Sequence, residues 1–172
     1  MRADRMVAEQ TWHLRALSLV KLLGHDADGA YEKGAQGVAL EPTGMNAPST
    51  LVQCAAAAAW LRDPARLRDT VAAMRLVPGP WIDRYRRGAE AALAALEGNA
   101  DSAAAGYAQL LDEWLRAELP LDHAWCVVSA LAVLPADLVS TDDVQRARST
   151  LRELDAIPLL RRLEEAVPQA VS

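Results

Sequence analysis

The stretch PWIDRYRRGAEAALAALEGNADSAAAGYAQLLDEW, residues 80–114, decides the fold. Ile82, Tyr85, Ala89, Leu93 and Leu96 recur at steps of three and four, so they share one helix face, and that face is expected to be core. Pro80 suits a first helical turn, where a missing N–H costs nothing. Gly98-Asn99 then closes the helix with residues that tolerate a left-handed backbone. Asp101 is expected to cap the next helix, in which Ala104, Tyr107, Leu111 and Trp114 keep the same rhythm. The GNAD turn between them is so short that the second helix must return antiparallel to the first. The stretch is one helical hairpin.

Working outward, breakers divide the chain into helices expected at about 4–23, 28–40, 48–62, 64–76, 80–97, 101–118, 122–134, 142–155 and 158–167. Strands are not expected: alanine dominates the apolar residues, phenylalanine is absent, and β-branched and aromatic residues are few. The run Ala55 to Ala59 lets two helix backbones approach closely, with the Trp60 indole plugging its end. Ser140-Thr141-Asp142 supplies caps for a helix whose stripe is Val144, Ala147, Leu151 and Leu154, and Pro158 opens a last short helix with Leu159, Leu160 and Leu163 on one side. Gly24 to Asn46 is the least regular segment; it holds five glycines and a proline, and its helix is expected to be short, irregular or partly loop. The expectation is an all-α fold in one domain, 1–172. Residues 1–46 form a less regular N-terminal part and 47–167 an array of antiparallel helical hairpins.

At 172 residues, 52% apolar and 24% charged, the chain has the composition of an ordinary globular domain and the size to bury a core. A formal net charge of -5 argues against phosphate backbones as the partner. Cys54 and Cys126 each lie in an apolar helical run, which points to buried free thiols rather than a disulfide or metal site. No run of about 18 uncharged apolar residues exists, and Met1-Arg2-Ala3-Asp4 does not lead into a signal peptide, so a cytoplasmic protein without a membrane partner is expected.

The stretch LEGNADSAAAGYAQLLDEW, with the helix before it, resembles a degenerate tetratricopeptide repeat. Gly98 falls at the inter-helix turn, Ala103 at the small packing position and Tyr107 at the aromatic position one turn later. Arg87 stands where that repeat usually carries an apolar aromatic, and no strict 34-residue period is sustained. A second likeness covers about Trp60 to Ala166, through WLRDPARLRDTV, PGPWIDRYRRGAEAALAALEGN, a Tyr-bearing helix and LRELDAIPLLRRLEEA. These are similar to the C-terminal helical region of large bacterial signalling proteins, in which an ATPase module, often with a class III nucleotidyl cyclase or a DNA-binding domain, precedes such repeats. The resemblance implies hairpins stacked as a right-handed tetratricopeptide-like superhelix, and a sensing or scaffolding role without enzymatic activity.

Linear motifs point the same way. Gly29 to Gly34 has the glycine spacing of a phosphate loop, but Ala35-Gln36 follows where Lys and Ser or Thr are required. His25, Asp26 and Asp28 are competent ligand types, yet no second histidine stands at helical ligand spacing, and a polar turn uses the same residues. Asp122-His123 reads as an N-cap aspartate followed by a surface histidine; Cys126 and Ser129 follow without a nucleophile elbow. The pairs Asp112-Glu113 and Glu164-Glu165 are adjacent, so they point to different faces and share no proton. The tryptophans at 12, 60, 81, 114 and 125 are read as core plugs at helix ends, with at most one or two lining an exposed groove. No catalytic, metal-binding or cofactor-binding residue is assigned, and no cofactor is expected.

Between Arg62 and Arg87, seven arginines outnumber three aspartates in an otherwise acidic chain. One reading is solvated helix surface with pairs such as Asp83–Arg87. The other is a docking surface for an acidic peptide or domain, centred on Trp81, Arg84, Tyr85 and Arg87, where guanidinium groups grip carboxylates. The leading expectation is therefore a non-enzymatic helical-repeat scaffold or regulatory module that binds a protein partner or another domain of its parent chain. The alternatives are a small-ligand-sensing helical domain of a transcriptional regulator or cyclase, with an apolar effector in a gap beside Ala55 to Ala59; a nucleic-acid-binding regulator using the arginine stripe; and a hydrolase whose groups converge from separate helices.

Overall fold

The computed structural model describes residues 2–167, among which there are nine α-helices, one 3-10 turn and no strand. The helices are α1 (Arg2–Leu23), α2 (Ala27–Leu40), α3 (Ala47–Trp60), α4 (Pro64–Met74), α5 (Pro80–Leu96), α6 (Ala100–Arg116), α7 (Pro120–Val133), α8 (Thr141–Glu153) and α9 (Ile157–Ala166), with the 3-10 turn at Ala136–Leu138 before α8. The all-α expectation is correct, with helix ends within a few residues of those read from the sequence. The chain forms two compact units, Met1–Ala89 and Glu90–Ser172.

In the first unit α1, α2, α3 and α4 pack in succession, each against the next, and α1 also touches α3. The buried face of α1 is Thr11, Leu14, Ser18 and Leu22. Two of these are polar, and each makes a hydrogen bond: the Ser18 hydroxyl donates to the Ala30 carbonyl at 2.8 Å and the Thr11 hydroxyl to that of Ala8 at 3.0 Å. Asn46 donates to Thr11 at 3.3 Å and Arg15 to Ser49 at 3.4 Å, a register in which α1 and α3 run in the same direction.

The expectation of an irregular segment at 28–40 is wrong. α2 is continuous, and its glycines sit where neighbouring helices come closest. A Cβ on Gly34 would lie 2.4 Å from Cys54 Sγ on α3 and 3.2 Å from Ser18 Oγ on α1. One on Gly37 would lie 3.4 Å from Leu14 Cβ. Read locally these glycines cost helix stability; in place they let α2 lie between two helices, and the contact outweighs the propensity. The alanine run of α3 is wholly buried, as the close-packing argument requires.

In the second unit α7 contacts α6, α8 and α9, and most of its residues are buried. α6 contributes Ala103, Tyr107, Leu110, Leu111 and Trp114 to the core. Tyr107 is 2% and Trp114 1% exposed, as their spacing predicts. A Cβ on Gly106 would lie 3.3 Å from the Ala91 methyl, so α6 returns closely along the C-terminal half of α5. α8 buries Val144, Ala147 and Leu151, and α9 buries Leu159 and Leu163, whereas Leu154 is exposed.

One turn recurs through the chain. Helices end with a left-handed residue, and the next N–H reaches back to the carbonyl five residues earlier, the six-to-one bond of a Schellman closure. His25, Arg62, Gly98, Glu118 and Asp155 have φ of 66°, 53°, 90°, 55° and 50°. The bonds run from Asp26 to Lys21, Asp63 to Ala58, Asn99 to Ala94, Leu119 to Trp114 and Ala156 to Leu151, at 2.8–3.2 Å. Three of the helices that follow carry proline in the first turn, at Pro64, Pro120 and Pro158.

Caps differ from expectation in detail. Asp101 lies inside the first turn of α6 while Asn99 holds the N-cap position, Asp122 lies inside the first turn of α7, and Ser140 at the start of α8 makes no side-chain cap bond. Asp26 and Asp63 do cap, accepting from Gly29 N and from Ala65 and Arg66 N.

Candidate functional site

The head of α5 brings the four sequence-predicted residues together. Gly79, with φ of 139°, leads into Pro80, and the helix then places Ile82 and Ala89 in the core. Tyr85, expected on that same face, is half-buried beside it, and Trp81 is 36% exposed rather than a core plug. One turn apart, their rings stack tilted, with centroids 4.7 Å apart and planes at 56°. Arg84 and Arg87 are half-buried on the same two turns. The expected i,i+4 partner of Asp83 is replaced by an i,i+3 one, since Arg86 donates to Asp83 at 3.2 Å. The result is a tilted aromatic pair on the same two helical turns as Arg84 and Arg87.

Elsewhere in the first unit, Arg66 and Lys21 make ion pairs. Arg66 bonds Asp28 at 2.6 Å and Asp63 at 3.4 Å, and its guanidinium stacks over Tyr31 at 4.8 Å. The hydrogen bond to Asp28, with the charges of Asp28 and Asp63, holds the Arg66 proton more firmly than usual. Lys21 bonds Asp26 at 2.6 Å. Asp26 and Asp28 thus cap and pair; among the described residues no group of three or more His, Cys, Asp and Glu converges as a metal site. Gly29 and Gly34, whose spacing matches a phosphate loop, lie inside α2, and the Gly29 amide donates to the capping Asp26 carboxylate at 2.9 Å.

No protein-family profile, curated protein or solved structure matches the chain.

In the second unit His123 is not a surface histidine. It is 1% exposed, and its Nε2 lies 3.0 Å from Oδ1 of Asp143 on α8. Cys126 follows one turn on; burial first, then the Asp143 charge, push its thiol up to about 12. At neutral pH such a group is not the thiolate that nucleophilic chemistry needs. Cys54, buried against Gly34, is likewise pushed up to about 12 by burial. Both cysteines are free and buried. Trp12 also departs from expectation, at 56% exposure on the outer side of α1.

Sequence reasoning missed a cleft of about 210 Å³ in the first unit, walled by α2, α3 and α4 and lined by Tyr31, Ala35, Val38, Leu51, Cys54, Asp69, Thr70 and Ala73 among others. Burial raises the Tyr31 phenol above its ordinary value, and the Asp69 charge adds to that shift. The small-residue spacing of α2 was the available signal, but it was read as breakage. Among the described residues no helix is long and apolar enough to cross a membrane.

Proposed function

We propose that this chain is a non-enzymatic helical-repeat module whose hairpins stack in the tetratricopeptide-like manner, and that it binds an acidic segment of a protein partner or of its parent chain. The observation that supports the repeat is the recurring left-handed closure at His25, Arg62, Gly98, Glu118 and Asp155, whose consecutive spacings are 37, 36, 20 and 37. Three of the four spacings are those of a helix pair and the shorter one spans the single helix α6, a pattern compatible with a degenerate helix-pair repeat whose period is not strict. The binding surface is the head of α5, where Trp81 and Tyr85 stack on the same two turns that carry Arg84 and Arg87. Arginine and aromatic side chains dominate interface energetics, and in a chain of net charge -5 a local cationic surface selects an acidic partner by contrast.

The test is a titration with an acidic, leucine-containing peptide, comparing the wild type with Arg84→Glu/Arg87→Glu. The double variant is expected to keep its helical signal and lose at least about tenfold in affinity, together with most of the salt dependence. Equal affinity in both proteins would reduce the arginines to solvated surface.

A further inference from the structure

The cleft between α2, α3 and α4 has a chemistry of its own, separate from the head of α5. Its walls are apolar and its volume, about 210 Å³, exceeds the roughly 150 Å³ at which a closed apolar cavity accepts a benzene ring. It has room for one ring and a short arm, and not for a peptide.

Its polar groups are chiefly acceptors. The Thr70 and Tyr31 hydroxyls lie 2.8 Å and 3.3 Å from the Arg66 carbonyl and also bond each other. With their protons engaged in this cluster, what the two oxygens have left to offer a ligand in the cleft is lone pairs. Asp69, at the rim, is a carboxylate for which no ion pair is seen among the described residues, in a position from which its charge acts on Tyr31. Arg66, whose guanidinium stacks on the Tyr31 ring, is already engaged by Asp28 and Asp63. Cys54 adds a thiol, at best a weak donor. An anionic ligand would meet the Asp69 charge at the rim, with the Arg66 guanidinium already taken up by two carboxylates. A ligand with several N–H donors and a positive charge satisfies every group present.

We infer that the cleft is a binding site for a small primary amine carried on a compact apolar body, with the ammonium at Asp69 and the hydrocarbon against Val38, Leu51 and Ala73. This gives the ligand-sensing alternative a chemical class. It does not depend on the α5 surface, because none of the docking residues lines the cleft.

Phenethylamine is the probe and 2-phenylethanol its size-matched neutral control, both followed by heteronuclear NMR titration of the full chain. Phenethylamine is expected to bind at least about tenfold more tightly than the alcohol, with shifts centred on Tyr31, Thr70 and Ala73. Asp69→Asn, an exposed change that leaves the fold intact, is expected to abolish the difference. Ala73→Leu, which fills the space, is expected to weaken both probes. A thermal melt confirms that this variant is folded; should it melt early, Ala35→Val fills the same cleft from α2. Equal affinity of amine and alcohol, undiminished amine binding by Asp69→Asn, or no saturable binding of the amine would each overturn the proposal.

Discussion

Replacing Trp114 by alanine removes the largest fully buried side chain among the described residues, at 1% exposure. A tryptophan buries on the order of 200 Å², which at about 25 cal/mol/Å² corresponds to roughly 5 kcal/mol of transfer free energy. That is an upper figure, since a denatured chain keeps part of the surface covered. The cavity left behind adds a term, while partial collapse of α6 and α7 subtracts one, so the expected loss is about 3–5 kcal/mol. For a chain of this length it lowers Tm by roughly 6–20 °C. The indole also donates a hydrogen bond to the Cys126 thiol. Truncation should therefore open a path to that thiol, and alkylation of Cys126 read by mass spectrometry should accelerate along with the fall in stability. Urea denaturation followed by circular dichroism gives the free energy, with Trp114→Phe expected at an intermediate value. A transition unchanged by Trp114→Ala, with Cys126 still protected, would refute the packing assigned to the second unit.

Glu118 is exposed and holds φ of 55° in one of the recurring closures, so Glu118→Gly should relieve roughly 1–2 kcal/mol of left-handed strain against a smaller loss from unfolded-chain entropy. A net gain of about 0.5–1 kcal/mol in a urea titration is expected; a loss would mean that the turn is not the left-handed closure described. The thiols of Cys54 and Cys126 are pushed up to about 12 in the folded chain, whereas an unfolded thiol titrates near 8.5. Between about pH 9 and 12 the unfolded state sheds these protons while the folded state keeps them, so stability falls as pH rises, by up to about 1.4 kcal/mol per pH unit for each thiol, with no such slope below about pH 8. Urea midpoints at pH 8 and 10 should diverge in the wild type and diverge less in Cys54→Ala/Cys126→Ala.

What the sequence made legible was whatever a single helix carries in itself. The three-and-four spacing of Tyr107, Leu111 and Trp114 put them in the core, and Val144, Ala147 and Leu151 likewise. What it hid depends on partners far along the chain. The inner face of α1 escaped notice because Thr11 and Ser18 interrupt its apolar stripe, and Trp12 beside it looked like the core residue that it is not. Gly34 and Gly37 read as breakers because their use lies on α1 and α3. His123 read as surface because its partner, Asp143, is twenty positions away on α8. The recurring turn was visible only at Gly98, since the other four left-handed residues are not glycine. The four α5 residues proposed for docking are named from composition and spacing, while Asp69 and Tyr31 are not reached that way, because α2 and α4 meet only in the folded unit.

The central claim, an acidic partner held at the head of α5, is tested most directly by placing a photo-crosslinking benzoylphenylalanine at position 81 of the full-length protein in its native cells. The account predicts adducts to a segment rich in Asp and Glu, on another protein or elsewhere in the parent chain, and their loss when Arg84→Glu/Arg87→Glu is combined with the probe. Adducts to neutral or basic segments, or acidic adducts that persist through the double reversal, would contradict it.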